Sequence, residues 1–192
     1  ALYGHPIYLI SDEPYREHAF HGVESPGYRR STRTPSCCYS FSKSLSLPGE
    51  RLGYVLVPKQ VTDADAVYAA TAGAGRSQGY VNAPSLFQRV AAECCDLTAD
   101  IGVYERNCAL LTDGLREMGY QVVQPGGAFY LFPRSLESDD MAFSERAKKF
   151  DLLLVPGSGF GAPGHFRIAY CVQTEMIERA LPRFKALADS YQ

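Results

Sequence analysis

Apolar residues follow two regimes along this chain. Early on they form short unbroken runs; later they recur at helical spacing. Ile7-Tyr8-Leu9-Ile10 is such a run, stopping abruptly at Ser11-Asp12-Glu13-Pro14-Tyr15. A run of β-formers without polar alternation predicts a strand buried on both faces, as in a parallel sheet. Residues 37–41 and 52–57 predict two further strands of that sheet, the last closed by Pro58. The polar, Gly/Pro/Arg-rich residues 22–35 between the first two predict a surface loop.

Helical patterns come next. Pro84, behind Asn82, suits the first position of a helix in which Leu86, Val90 and Cys94 recur at i+4. Ile101, Tyr104, Cys108, Leu111, Leu115 and Met118 recur at spacings of 3, 4, 3, 4 and 3. They form one stripe on a helix running from near Asp100 to Gly119, the natural connector between two domains. Beyond it, residues 121–124 and 128–132 predict strands around Pro125-Gly126-Gly127, followed by a helix over 140–150. Strands over 152–155 and 166–171 precede a final helix from Thr174, with Ile177, Leu181, Phe184 and Ala188 on one face. Pro182 predicts a kink there. The class is α/β: residues 1–99 belong to a larger sheet domain, 100–119 form the connecting helix, and 120–192 form a smaller α+β domain.

Composition narrows the possibilities. The 192 residues are 46% hydrophobic and 21% charged, a globular balance. With 19 basic against 21 acidic residues the chain lacks the excess of positive charge that a phosphate-backbone binder needs. No apolar run approaches the ~18 residues of a membrane span, and the opening Ala1-Leu2-Tyr3-Gly4 has no secretory-signal character. A soluble, cytoplasmic protein is expected. The six cysteines include the adjacent pairs Cys37-Cys38 and Cys94-Cys95, whose side chains point apart in regular structure, so reduced, packed thiols are expected. The four histidines show no i, i+4 pairing, and no metal site is expected.

The chemistry gathers where the apolar runs stop. Asp12 and Tyr15 follow the first run; Ser40, Ser42 and Lys43 lie at the end of the second; Arg51 opens the third. Open α/β sheets bind ligands outside the carboxyl ends of their strands, so these groups are expected to face one crevice. Glu13 is expected to point away by strand alternation. Arg167 stands in an otherwise apolar strand and calls for an anion, either an internal carboxylate or a ligand. Arg76 and Arg134 read as surface charges, and Tyr130 as packing.

Ser40-Phe41-Ser42-Lys43, then seven residues, then Arg51 within Gly49-Glu50-Arg51-Leu52-Gly53-Tyr54 resembles the cofactor-lysine segment of class I and II aminotransferases, pyridoxal-phosphate enzymes of fold type I. Asp12-Glu13-Pro14-Tyr15 is similar to that family's pyridine-binding segment. Asn82-Ala83-Pro84, Pro125-Gly126-Gly127-Ala128-Phe129-Tyr130, Val155-Pro156-Gly157 and Phe166-Arg167-Ile168 continue the family's order. The resemblance implies part of the fold-type-I large domain, with three core strands and helices, followed by the small domain. It makes Lys43 the Schiff-base lysine and proton shuttle. Asp12 becomes the carboxylate at the ring nitrogen, and Tyr15 a donor to the ring 3-oxygen. Ser40 and Arg51 become phosphate ligands, with Ser42 secondary. Arg167 becomes the clamp on the substrate α-carboxylate.

The resemblance also implies that a complete member is roughly twice as long. The chain is then expected to be the C-terminal half, working with a missing N-terminal half or partner chain in a homodimer. On its own it is expected to bind pyridoxal phosphate weakly and to be inactive or only weakly active, without efficient transamination. Amino-group transfer between an α-amino acid and a 2-oxo acid is the leading reading. A lyase of the same fold and the ligand-sensing domain of a transcription regulator remain as alternatives.

Overall fold

The computed structural model describes residues 4, 5, 7–20, 22, 23 and 36–192. It comprises two compact units, Ala1–Ala99 and Asp100–Gln192. Most of the loop expected over 22–35 lies outside the described residues.

The first unit holds a three-stranded sheet of β1 (Ile10–Asp12), β2 (Ser36–Ser40) and β3 (Gly53–Leu56), in that order. β1 runs parallel to β2, with Asp12 opposite Cys38. β3 is antiparallel to β2, with Ser40 opposite Gly53. The expectation of three parallel strands is corrected here. The link from β2 to β3 is the single turn α1 (Phe41–Ser44) and a 3-10 turn over Pro48–Glu50, which reverse the chain in place. A parallel return would need a crossover carrying the chain back along the sheet face. Close approach then dictates the first residue of β3, because a Cβ on Gly53 would lie 2.3 Å from the Tyr39 carbonyl oxygen.

Burial on both faces is corrected as well. β2 is central, and its Cys37 and Tyr39 are buried, but Ile7 is 58% and Ile10 67% exposed and every residue of β3 is exposed. Hydrophobic content marks a strand; it does not show what covers it. α2 (Ala64–Ser77) was not foreseen: it buries no residue, so no apolar period marks it, and its alanines favour helix through propensity alone. α3 (Ser85–Cys94) starts one residue later than expected, with Pro84 as its cap; Ala91 is its buried residue.

The second unit starts with α4 (Ile101–Glu117), whose first turn is capped by the Asp100 carboxylate accepting from the Gly102 amide at 3.0 Å. β4 (Tyr130–Leu131), α5 (Asp140–Lys148), β5 (Val155–Pro156), β6 (Phe166–Ala169) and α6 (Thr174–Asp189) follow. The sheet order is β4-β6-β5, with both pairings antiparallel. Residues 121–124 are not a strand, and Val123 is 84% exposed. The apolar content there has no strand partner, and Gln121 only accepts one backbone bond from Arg134. α6 is continuous through Pro182.

The core of this unit sits between the small sheet and its helices. Cys108, Leu111 and Leu115 of α4 are buried, and a Cβ on Gly114 would lie 2.5 Å from Leu181 Cδ2 of α6. Phe143, Phe166, Phe184 and Tyr120 form an aromatic cluster, and the Tyr120 hydroxyl donates to the Phe184 carbonyl at 3.1 Å. All six cysteines are unpaired: Cys37 and Cys108 are buried, Cys38 and Cys94 half-buried, and Cys95 and Cys171 exposed. Packing thus accounts for only some of the thiols, since α3 leaves its Cys94–Cys95 end open. Among the described residues no helix is long and apolar enough to cross a membrane.

Asn107, fully buried on α4, ties that helix to the chain entering α6. Its Nδ2 donates to the carbonyls of Tyr170 at 3.1 Å and Val172 at 2.8 Å, and its Oδ1 accepts from Thr174 Oγ1 at 2.8 Å. Truncation would strand two carbonyls and a hydroxyl. We predict that Asn107→Ala destabilises the protein by about 2–3 kcal/mol in urea unfolding, while Glu117→Ala on the exposed side of α4 stays within about 0.5 kcal/mol.

Candidate active site

Strand alternation sorts the polar groups of the first unit onto two faces. Ser11 Oγ donates to Glu13 Oε1 at 2.6 Å, so these two share one face of β1 and Asp12 between them projects to the other. The parallel register sets Asp12 beside Cys38, and Ser40, two residues on, shares that face. Ser40 Oγ accepts from the Ser42 amide at 3.2 Å and lies 2.9 Å from Ser42 Oγ, capping α1 and folding Ser42 back onto itself. Lys43, half-buried on that turn, brings its Nζ to 5.5 Å from the centroid of the Tyr15 ring. The turn after β1 and the turn after β2 therefore meet. Arg51 adopts a left-handed backbone (φ 54°, ψ 43°), which aims the chain into β3, and its Nη1 donates to the Pro48 carbonyl at 2.8 Å.

The opposite face carries groups that reading the sequence alone missed. Tyr39 Oη lies 2.8 Å from Glu17 Oε2 and 2.8 Å from Ser44 Oγ. Arg16 pairs with Glu17 at 2.9 Å and places its guanidinium 4.6 Å from the Tyr39 ring centroid. Tyr54 stacks on Tyr39 at 5.1 Å from strand β3. Burial, reinforced by Glu17, pushes the Tyr39 phenol up to about 12. Burial also holds the His18 imidazole below its ordinary value, with Glu17 opposing and Lys43 adding to the shift. The alternation of Ser36-Cys37-Cys38-Tyr39-Ser40 was the available signal: it sets Tyr39 opposite Ser40.

In the second unit, Arg167 projects from β6 between two rings. Its guanidinium lies 4.6 Å from the Tyr130 centroid and 4.5 Å from that of Phe160. No carboxylate among the described residues forms an ion pair with it. Tyr130 does pack, as expected, and what it packs on is Arg167. Phe160 had no sequence signal, because its contact arises only when the turn Gly157–Phe160 closes. Asp140 closes that turn: its carboxylate accepts from the Ser158 amide at 2.7 Å, from Ser158 Oγ at 2.6 Å and from the Gly164 amide at 3.4 Å. Elsewhere in this unit, Arg134 lines a cavity of about 1130 Å³ with Arg116, Phe132 and His165.

A sequence profile of the family described as Aminotransferase class I and II matches residues 2–184. The chain belongs to this family. This aminotransferase chain is 30% identical over 186 residues to the aspartate/prephenate aminotransferase of Thermus thermophilus, covering 94% of this chain and 48% of that one. It is 31% identical to aromatic-amino-acid aminotransferase 2 of Thermococcus litoralis, covering 94% and 49%. A solved amino transferase structure from Eubacterium rectale superposes with a TM-score of 0.92 at 50% identity, covering 98% of this chain and 48% of that one. The Thermotoga maritima aspartate aminotransferase gives 0.83 at 26% identity, covering 95% and 48%. The fold is that of the fold-type-I aminotransferases, which use pyridoxal phosphate. The chain spans about half the length of the curated relatives it matches.

The clasp that seats Phe160 is sensitive to acid. Hydrogen bonds from Ser158, side chain first and then backbone, lower the Asp140 carboxyl to about 2. A depressed carboxyl stabilises the fold fully above its unfolded value of about 4 and loses that contribution as pH falls through the folded value. We predict that the parent melts above Asp140→Asn at about pH 6 and that the gap closes toward about pH 2. A gap that stays constant with pH would contradict the clasp.

Proposed function

We propose that this chain works as part of a longer aminotransferase, moving an amino group between an α-amino acid and a 2-oxo acid. The observation that carries the reading is the convergence at one end of the first sheet: Asp12 and Ser40 on a shared face, Lys43 against Tyr15, and Arg51 entering the neighbouring strand. This donor set fits pyridoxal phosphate, offering an amine, an acid, a phenol, hydroxyls and a guanidinium to an anionic aromatic aldehyde. When bound, that group supplies an electron sink for bonds at the substrate α-carbon.

The residues divide the work by their chemistry. Lys43 would hold the aldehyde through its amine, and its Nζ would take and return the substrate α-proton. The Asp12 carboxylate keeps a proton on the ring nitrogen. Tyr15 donates to the ring 3-oxygen. Ser40 and Arg51 hold the phosphate, with Ser42 secondary; Arg51 spends one N–H on the Pro48 carbonyl and keeps the others. Arg167, against the rings of Tyr130 and Phe160, offers its guanidinium for bidentate binding of the substrate carboxylate.

Partners follow from the same reading. The exposed apolar face over residues 7–10 and β3 supports pairing with further aminotransferase sequence, in the same polypeptide or a partner chain. A homodimer and a cytoplasmic setting complete the proposal. The names of the relatives above support amino transfer over the lyase and sensor alternatives.

The test is covalent capture. Treating the protein with pyridoxal phosphate and borohydride is expected to leave the reduced adduct on the Lys43 peptide in mass spectrometry. Lys43→Ala is expected to lose the adduct, and Arg51→Ala to raise the half-saturating cofactor concentration about 10- to 100-fold. Arg167→Lys is expected to keep the adduct while lowering kcat/KM of the full-length aminotransferase for the amino acid about 10- to 100-fold, since a lysine keeps the charge and loses the fork. No adduct at Lys43 would overturn the reading.

A further inference from the structure

We propose that Ser44, Tyr39 and Glu17 form a hydrogen-bonded relay on the back of the sheet that positions the Lys43 amine; the inference rests on the role given to Lys43 above. Glu17 as a carboxylate can only accept, so the single phenolic hydrogen of Tyr39 goes to Glu17 at 2.8 Å. Tyr39 must then accept from Ser44, whose oxygen also lies 2.8 Å away. Arg16 closes the chain by pairing with Glu17 at 2.9 Å and covering the Tyr39 ring. Ser44 is only 2% and Tyr39 7% exposed, so water competes little for these bonds.

The position of the relay gives it leverage. α1 is a single turn, closed by a backbone bond from the Leu45 amide to the Phe41 carbonyl at 3.4 Å. It is held further at its ends: Ser40 caps the start, the Phe41 amide donates to the Leu52 carbonyl at 3.0 Å, and the Ser44 carbonyl accepts from the Ala99 amide at 2.7 Å. The side-chain anchor next to Lys43 is that of Ser44 to Tyr39, and Lys43 leaves the turn over the Tyr15 ring. Tyr39 lies on β2 opposite in face to Ser40, so the relay is built behind Asp12 and Ser40. Other charged and titratable groups facing this region are Glu13, 3.7 Å from Arg16, and His18, which feels both Glu17 and Lys43. The aromatic stack of Tyr39 with Tyr54 of β3 braces the central phenol from the far strand.

Two readouts test the relay. The first is the fraction of protein trapped at Lys43 by pyridoxal phosphate and borohydride, together with the induced circular dichroism of the visible band, which reports how the ring is held. The second needs no cofactor: the rate of reductive methylation at Lys43, relative to exposed Lys59 in the same digest. Ser44→Ala, Tyr39→Phe and Glu17→Gln are each expected to lower trapping about three- to tenfold, to weaken the induced signal, and to change the Lys43:Lys59 ratio in the same order. Ser44→Thr keeps the hydroxyl and is expected to restore parent values in both readouts. If Tyr39→Phe fails to fold, the Ser44→Ala and Ser44→Thr pair decides. Parent-like trapping and methylation in Ser44→Ala, or Ser44→Thr behaving as Ser44→Ala, overturns the relay. A parent protein that does not trap at Lys43 overturns the functional reading instead, and the methylation ratio still judges the relay.

Discussion

The reversal of the chain between β2 and β3 is the constraint on which the first unit depends. One helical turn and one 3-10 turn bring β3 back antiparallel, so the start of β3 lies beside the end of β2. Had the chain crossed over to a parallel partner, Arg51 would have opened β3 at the opposite end of the sheet from Ser40. Tight return has costs at three positions. Ser46 and Arg51 adopt left-handed backbones, and residue 53 must be glycine because the Tyr39 carbonyl occupies the space of a Cβ. All three departures from ordinary geometry lie in the link that gathers these groups.

The sheet then separates two kinds of polar residue by face. Asp12 and Ser40 share one side, while Tyr39, Glu13 and Ser11 occupy the other, bonded with Glu17, Arg16 and Ser44. The first side keeps acceptors and donors available for a ligand. The second pairs Tyr39, Glu17 and Ser44 internally, while Glu13 Oε2 is buried without a hydrogen bond and has Arg16 Nη1 3.7 Å away. In the other unit Arg167 is restrained in a similar way: its guanidinium lies against two rings, and Asp140 fixes the turn bearing one of them. A restrained guanidinium loses less freedom on meeting a carboxylate than a mobile one.

Legibility in the sequence followed burial. The stripe of α4 and the apolar face of α6 were plain, because Cys108, Leu111, Leu115, Ile177 and Phe184 all enter one core and so leave a period. α2 left none, since nothing on it is buried. Residues 121–124 misled in the other direction, having strand composition with no strand to pair with. The ligand-facing groups were legible through local motifs around Asp12, Lys43 and Arg51. Tyr39, Glu17 and Phe160 were not: their contacts join residues 22 apart in the first case, and depend on closure of a turn in the second. Strand direction was misread because an unbroken apolar run looks alike in parallel and antiparallel neighbours; the short connection after Ser40 was the better guide.

The central claim is that one end of the first sheet is shaped for a single anionic ring. A crystal structure of the protein soaked with pyridoxal phosphate tests it most directly. The expected result is density continuous with Lys43 Nζ, with the ring nitrogen toward Asp12 and the phosphate between Ser40 and Arg51. Density for the cofactor in the cavity beside Arg116 and Arg134, with none at Lys43, would contradict it.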